Sequence, residues 1–199
     1  MTGPIYVSYY TPDYADCAAK LKASLDQFGL HHELMPVKDL GRWDLNCTGK
    51  AACMRIMLNA HQCPVVWIDS DAIVRRPPEL FDRLADENKI DVAVCRWKRL
   101  NSMRRPEVLS GTVYVGNTDG GRRLLDKWDA ECKAHPQRWD QVSLEVSLGA
   151  CDLRIEWLPV EYTFISDIHR WEYPNASPVV EHYQRSRIRK AREISESGI

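Results

Sequence analysis

Pro64–Pro77 reads P-V-V-W-I-D-S-D-A-I-V-R-R-P. Val65, Val66, Trp67 and Ile68 form a short apolar run rich in β-branched and aromatic residues, the mark of a strand buried on both faces. Pro64 and the brevity of the run favour a strand over a buried helix. The run ends in Asp69-Ser70-Asp71. Two isolated carboxylates are too costly to place in a core, so they belong at the open carboxyl end of a sheet, where α/β proteins bind ligands. They supply hard oxygen ligands suited to Mg²⁺ or Mn²⁺, ions that complete their shells with water and phosphate oxygens. An Asp-x-Asp triplet by itself is a common solvated turn. Here Ile73-Val74 follows at once, so the acidic turn is held between two apolar segments.

The stretch VVWIDSDAIV, with Leu80-Phe81 beyond the prolines, resembles the metal-binding strand of GT-A-fold glycosyltransferases that use nucleotide-diphosphate sugars. The resemblance runs from Ile5 to about Arg187. It implies a single α/β domain over residues 1–187, with a Rossmann-type mixed central sheet flanked by helices. Residues 188–199 are expected to be a charged C-terminal tail.

At 199 residues the chain is long enough to bury a substantial core. Its formal net charge of −1 points to no class of partner. The seven cysteines are odd in number and contain no C-x-x-C pair, which argues against a disulfide framework or zinc site and for a reducing, cytoplasmic setting. No basic-then-apolar leader opens the sequence, and no apolar run approaches the ~18 residues of a membrane span.

Along the chain, Ile5–Tyr10 reads as a first strand. Thr11-Pro12-Asp13 supplies a helix cap, a first-turn proline and a first-turn acid. Tyr14, Cys17, Ala18, Leu21, Leu25 and Phe28 then repeat at helical spacing to Gly29, and His32–Val37 reads as a second strand. Strand, helix, strand is the opening of a doubly wound sheet. In the family resembled, the residues after the first strand hold the nucleotide, here Ser8, Tyr9, Tyr10 and Thr11. The alternative is that the tyrosines simply pack. Trp43, Asn46 and Lys50 share the family's spacing. Lys50, near the start of a helix over about 48–61, is either a donor-phosphate contact or a solvated lysine. The apolar stripe Cys53, Ile56, Met57 and Ala60 is expected to face the core.

Further on, Ile90–Cys95 reads as a buried strand, and Arg96–Arg105 carries five basic residues in ten positions. The Leu109–Thr118 strand contains Ser110-Gly111, which by resemblance lines the donor and acceptor cleft. Thr118 should cap a helix carrying Leu124, Leu125, Trp128 and Cys132, with Gly120-Gly121 weakening its first turn. Asp140-Gln141 opens another helix. Asp140 is either an N-cap or, by resemblance, the catalytic carboxylate. Arg154–Leu158 and Glu161–Ile165 read as strands. Val179-Val180 suggests a last strand, and the resemblance makes His182 a third metal ligand beside Asp69 and Asp71. Arg187 is expected near the pyrophosphate.

The implied activity is transfer of a hexosyl or pentosyl group from a nucleotide-diphosphate sugar, UDP-sugars among them, to an acceptor hydroxyl with Mn²⁺ or Mg²⁺. The basic residues at Arg96–Arg105 and from Arg185 onward suggest a positive mouth and an anionic acceptor such as nucleic acid. One alternative is a sugar-phosphate nucleotidyltransferase, although Ser8–Pro12 lacks the glycine-rich, lysine-bearing signature of such enzymes. Another is a non-catalytic nucleic-acid-binding module, which leaves the acidic pair unexplained.

Overall fold

The computed structural model describes residues 3–100, 102–103 and 105–185. Nine strands and seven α-helices are formed among them. In order they are β1 (Ile5–Tyr10), α1 (Ala15–Gln27), β2 (His32–Pro36), α2 (Trp43–Cys47), α3 (Lys50–His61), β3 (Val65–Ile68), β4 (Ala72–Val74) and α4 (Glu79–Glu87). Then follow β5 (Val92–Trp97), β6 (Glu107–Val115), α5 (Asp119–Ala134), α6 (Asp140–Ala150), β7 (Ile155–Trp157), β8 (Phe164–Ile165), α7 (Ser166–Glu172) and β9 (Val180–His182).

The central sheet has the order β2-β1-β3-β6-β5-β7. All neighbours in it are parallel except at β6, which runs antiparallel to both β3 and β5. This is the mixed, helix-flanked α/β sheet that the sequence predicts. Side chains alternate across each strand, so the sheet feeds two cores. Ile5, Val7, Val65, Trp67, Val113 and Val115 pack with α3, α5 and α6 on one side. Tyr6, Val66, Ile68, Tyr114 and Cys95 pack with α1 and α4 on the other. Burial on both faces explains why β3 is continuously apolar.

A second sheet, β4-β9-β8, sits at the carboxyl end of the first. β4 pairs antiparallel with β9 so that Ala72 lies opposite His182. Glu181, fully buried on β9, locks this sheet in place. Its carboxylate accepts hydrogen bonds from Arg75 Nε at 2.8 Å, Ser166 Oγ at 2.9 Å and the Tyr183 hydroxyl at 2.9 Å, and pairs with Arg170. A buried carboxylate needs this degree of satisfaction to remain ionised.

Several local expectations change. The first-turn signal at Thr11-Pro12-Asp13 produces a 3-10 turn over Pro12–Tyr14, and the α-helix proper starts at Ala15. Glu161–Ile165 is not one strand. It divides into a 3-10 turn over Val160–Thr163 and the two-residue β8. The buried face of α3 is Lys50, Ala51, Met54, Met57 and Leu58, whereas Ile56 is 62% exposed. This helix is apolar on more than one side, so periodicity fits two faces, and packing against β1 and β3 selects between them. Thr118 does cap α5, accepting from the Gly121 amide at 3.0 Å, and the predicted apolar face of α5 is buried. Gly120 and Gly121 are required there by space. A Cβ on Gly120 would lie 2.3 Å from the Asp91 carboxyl carbon, and one on Gly121 2.3 Å from the Gly116 carbonyl oxygen.

The cysteines are all free thiols. No helix among the described residues is long and apolar enough to cross a membrane.

Candidate active site

The carboxyl ends of β1 and β3, the adjoining part of β6, the small sheet and the start of α6 enclose a cleft of about 650 Å³. The end of β3 delivers Asp69, whose amide donates to the Gly111 carbonyl at 2.9 Å and so fixes the acidic turn against β6. Asp71 immediately precedes β4. The Ala72–His182 register therefore brings residues distant in sequence side by side. One ligand atom from each of Asp69, Asp71 and His182 lies within 4.8 Å of the others.

The groups around this triplet hold it in a defined state. His182 is 1% exposed, and its Nε2 lies 2.9 Å from Thr112 Oγ1. The tautomer in which Nε2–H donates to that hydroxyl leaves Nδ1 its lone pair, the arrangement common to metal-ligating histidines. Burial pushes the His182 pKa down to about 4, so the ring is neutral near neutral pH, as a ligand must be. Burial, and then the neighbouring Asp69 charge, push Asp71 up to about 6. The Arg185 amide donates to Asp71 Oδ2 at 2.9 Å. Two carboxylates crowded together with a neutral imidazole form a donor set suited to Mn²⁺ or Mg²⁺, whose charge would relieve their repulsion. The residues fit a divalent cation.

Lys50 is neither solvated nor extended toward open solvent. It is 5% exposed, with Nζ 2.8 Å from Asp69 Oδ1 and 3.0 Å from Asp140 Oδ2. The Ser110 carbonyl lies 3.5 Å away and the Trp67 ring centroid 5.6 Å away. Burial alone would lower the pKa of this ammonium, but Asp140 and Asp69 reverse the effect and hold it well above the usual lysine value. Trp67 Nε1 also donates to Asp69 Oδ1, at 2.8 Å. Asp140 is the first residue of α6 and not its cap, a position that Trp139 occupies. Asp140 is 3% exposed and lines the cleft.

Of the four residues expected to hold a nucleotide, Tyr9, Tyr10 and Thr11 line the cleft. Ser8 does not. It is fully buried inside β1, whereas Tyr9 and Tyr10 at the strand's carboxyl end are only partly buried. The Tyr9 hydroxyl donates to the Asn46 carbonyl at 2.7 Å, and its ring meets Trp67 edge-on at 4.9 Å. Ser110 and Gly111 line the cleft beside His182. Arg187 lies outside the described residues.

The predicted positive mouth is only partly assembled among the described residues. Arg99 and Arg105 line the cleft. Arg185 instead pairs with Asp16 at 2.6 Å, and the Arg96 guanidinium lies 5.6 Å over the Trp157 ring. Arg104 and the basic residues beyond Arg185 are outside the described residues. Sequence reasoning missed the Lys50–Asp140 pair and the meeting of Trp43 with Trp139 across the cleft mouth. Neither has a local signal, because each joins residues far apart in the sequence.

Neither a protein-family model nor a curated protein sequence matches the chain. Solved structures do match. One is a glycosyltransferase involved in glycosylation of the major capsid of PBCV-1, with a TM-score of 0.72 and 14% identity over 92% of this chain and 93% of that one. Another is the glycosyltransferase GlyE of Streptococcus pneumoniae TIGR4, with a TM-score of 0.61 and 16% identity over 92% of this chain and 55% of that one. The apo form of GlyE matches with a TM-score of 0.58 and 15% identity. The chain thus has the GT-A-like fold of these glycosyltransferases.

Proposed function

We propose that the protein is a glycosyltransferase that moves a sugar from a nucleoside-diphosphate donor to an acceptor hydroxyl with a divalent cation. The observation that carries this reading is the convergence of Asp69, Asp71 and His182 at the floor of the cleft. The fold shared with solved glycosyltransferases supports it.

Asp69, Asp71 and His182 would hold the ion, with Mn²⁺ or Mg²⁺ the expected species. Such an ion supplies a Lewis acid that neutralises charge on the departing diphosphate. Tyr9, Tyr10 and Thr11 form the wall for the base and ribose. Lys50 holds the Asp69 and Asp140 carboxylates in one geometry and keeps positive charge at the floor. Ser110 and Gly111 let the donor sugar approach the backbone of β6. During transfer, the bond from the sugar C1 to the diphosphate oxygen breaks and a bond from the acceptor oxygen to C1 forms. The acceptor proton passes to Asp140 in an inverting transfer, or to the departing diphosphate in a retaining one.

The test is release of nucleoside diphosphate from a panel of nucleotide sugars with Mn²⁺, with Mg²⁺ and with chelator. Metal-dependent release from one donor class is expected. No release from any donor, with cleavage of nucleoside triphosphate in the presence of a sugar phosphate instead, would support a nucleotidyltransferase.

A further inference from the structure

At the cleft mouth, Trp43 at the start of α2 meets Trp139 just before α6. Their ring centroids are 6.0 Å apart and their planes stand at 86°. Both rings line the cleft, and Trp139 is 51% exposed. Open indole surface beside a cleft is costly to hydrate and suits a ligand that is apolar on one face. In the same cleft, Gln141 Nε2 donates to Glu107 Oε2 at 3.0 Å. An amide joined to a carboxylate offers both donors and acceptors to hydroxyl groups.

A pyranose has this double character, with a face of C–H groups and a rim of hydroxyls. We infer that Trp43 and Trp139 form the platform of an acceptor subsite for a saccharide, with Gln141 and Glu107 binding its hydroxyls. The subsite names the acceptor class for the transferase reading and rests on it. Asp140 follows Trp139 in the chain and lines the same cleft. Nucleobases also stack on indoles, but they bring phosphates that require a basic track. Among the described arginines, Arg99 and Arg105 line this cleft, but the carboxylates Glu107 and Asp140 line it too, and Arg96 and Arg185 are engaged elsewhere.

The experiment is saturation-transfer NMR on the full chain with methyl glycosides of glucose, galactose, mannose and N-acetylglucosamine, and with a thymidine oligonucleotide. Wild type, Trp139→Ala, Trp139→Phe and Gln141→Ala are compared at low and high salt. Binding of at least one glycoside is expected, insensitive to salt. It should weaken about tenfold or more in Trp139→Ala and only a few-fold in Trp139→Phe, where a stacking face remains. Absence of glycoside binding, or binding indifferent to Trp139→Ala, overturns the inference. So does oligonucleotide binding that depends on Trp139 and falls steeply with salt while the glycosides stay unbound. Calorimetry with nucleoside diphosphates and Mn²⁺ separates the two levels of the argument. If nucleotide binds and glycosides do not, the subsite alone fails. If glycosides bind through Trp139 and nucleotides do not, the platform stands and the transferase reading fails.

Discussion

The imidazole of His182 occupies the space that a side chain on residue 111 would need. A Cβ on Gly111 would lie 2.9 Å from His182 Cε1 and 3.1 Å from Nδ1. The ring has no easy retreat, since it is buried and bonded to Thr112. Gly111→Ala should therefore displace the ring while β6 keeps its backbone. The expected result is a folded protein whose Mn²⁺ affinity falls about tenfold or more, the size seen when the support of a ligand is disturbed. Metal titration beside circular dichroism checks it, and unchanged affinity would separate His182 from the metal.

Lys50 compensates two buried or half-buried carboxylates at once. Lys50→Met should leave Asp69 and Asp140 repelling each other, at a cost of about 3 kcal/mol in unfolding free energy. Adding Asp140→Asn should recover part of that loss, because the neutral amide removes one of the two charges. A denaturant double-mutant cycle measures the coupling. Additive losses would contradict the proposed bridge.

Asp91 gives an acid-sensitive component of stability. Its carboxylate is 3% exposed and bonded to the Arg154 amide at 2.8 Å, the Arg154 guanidinium at 2.7 and 3.1 Å, and the Thr118 hydroxyl at 2.6 Å. Burial opposes ionisation, but these donors outweigh it and hold the pKa at about 2. The folded value lies below the unfolded one, ~3.9. The contribution is therefore complete above pH ~4 and disappears as pH falls toward ~2. Since Arg154 is half exposed, we expect about 1–2 kcal/mol. Urea unfolding from pH 6 to pH 2 (about the range in which this group titrates) should show the loss in wild type and not in Asp91→Asn. Parallel curves for the two would contradict it.

The fold was legible because local patterns were strong. The β-rich run at Val65–Ile68, the helical spacing behind Thr118 and the alternation at Ile5–Tyr10 each report burial directly. What was illegible depended on pairing between distant segments. Nothing in Glu161–Ile165 tells that only Phe164 and Ile165 find a strand partner. The face of α3 was misread because its apolar residues fit two stripes. Lys50 resembled a solvated lysine until Asp69 and Asp140 closed on it from separate elements. The charge cluster at Arg96–Arg105 suggested a positive mouth, yet side-chain partners such as Trp157 and Asp16 decide where the neighbouring charges go. Asp69, Asp71 and His182 could be nominated from sequence, but only the Ala72–His182 register brings the last two together.

The central claim is that Asp69, Asp71 and His182 bind a divalent ion that in turn holds a nucleoside diphosphate. Calorimetric titration of nucleoside diphosphates into wild type and Asp71→Ala, with and without Mn²⁺, tests it most directly. Wild type should bind one nucleotide at least about tenfold more tightly with Mn²⁺ than without it. Asp71→Ala should lose the metal-dependent part and keep its fold. Equal binding with and without Mn²⁺ in wild type, or retention of the Mn²⁺ effect in Asp71→Ala, would contradict the account.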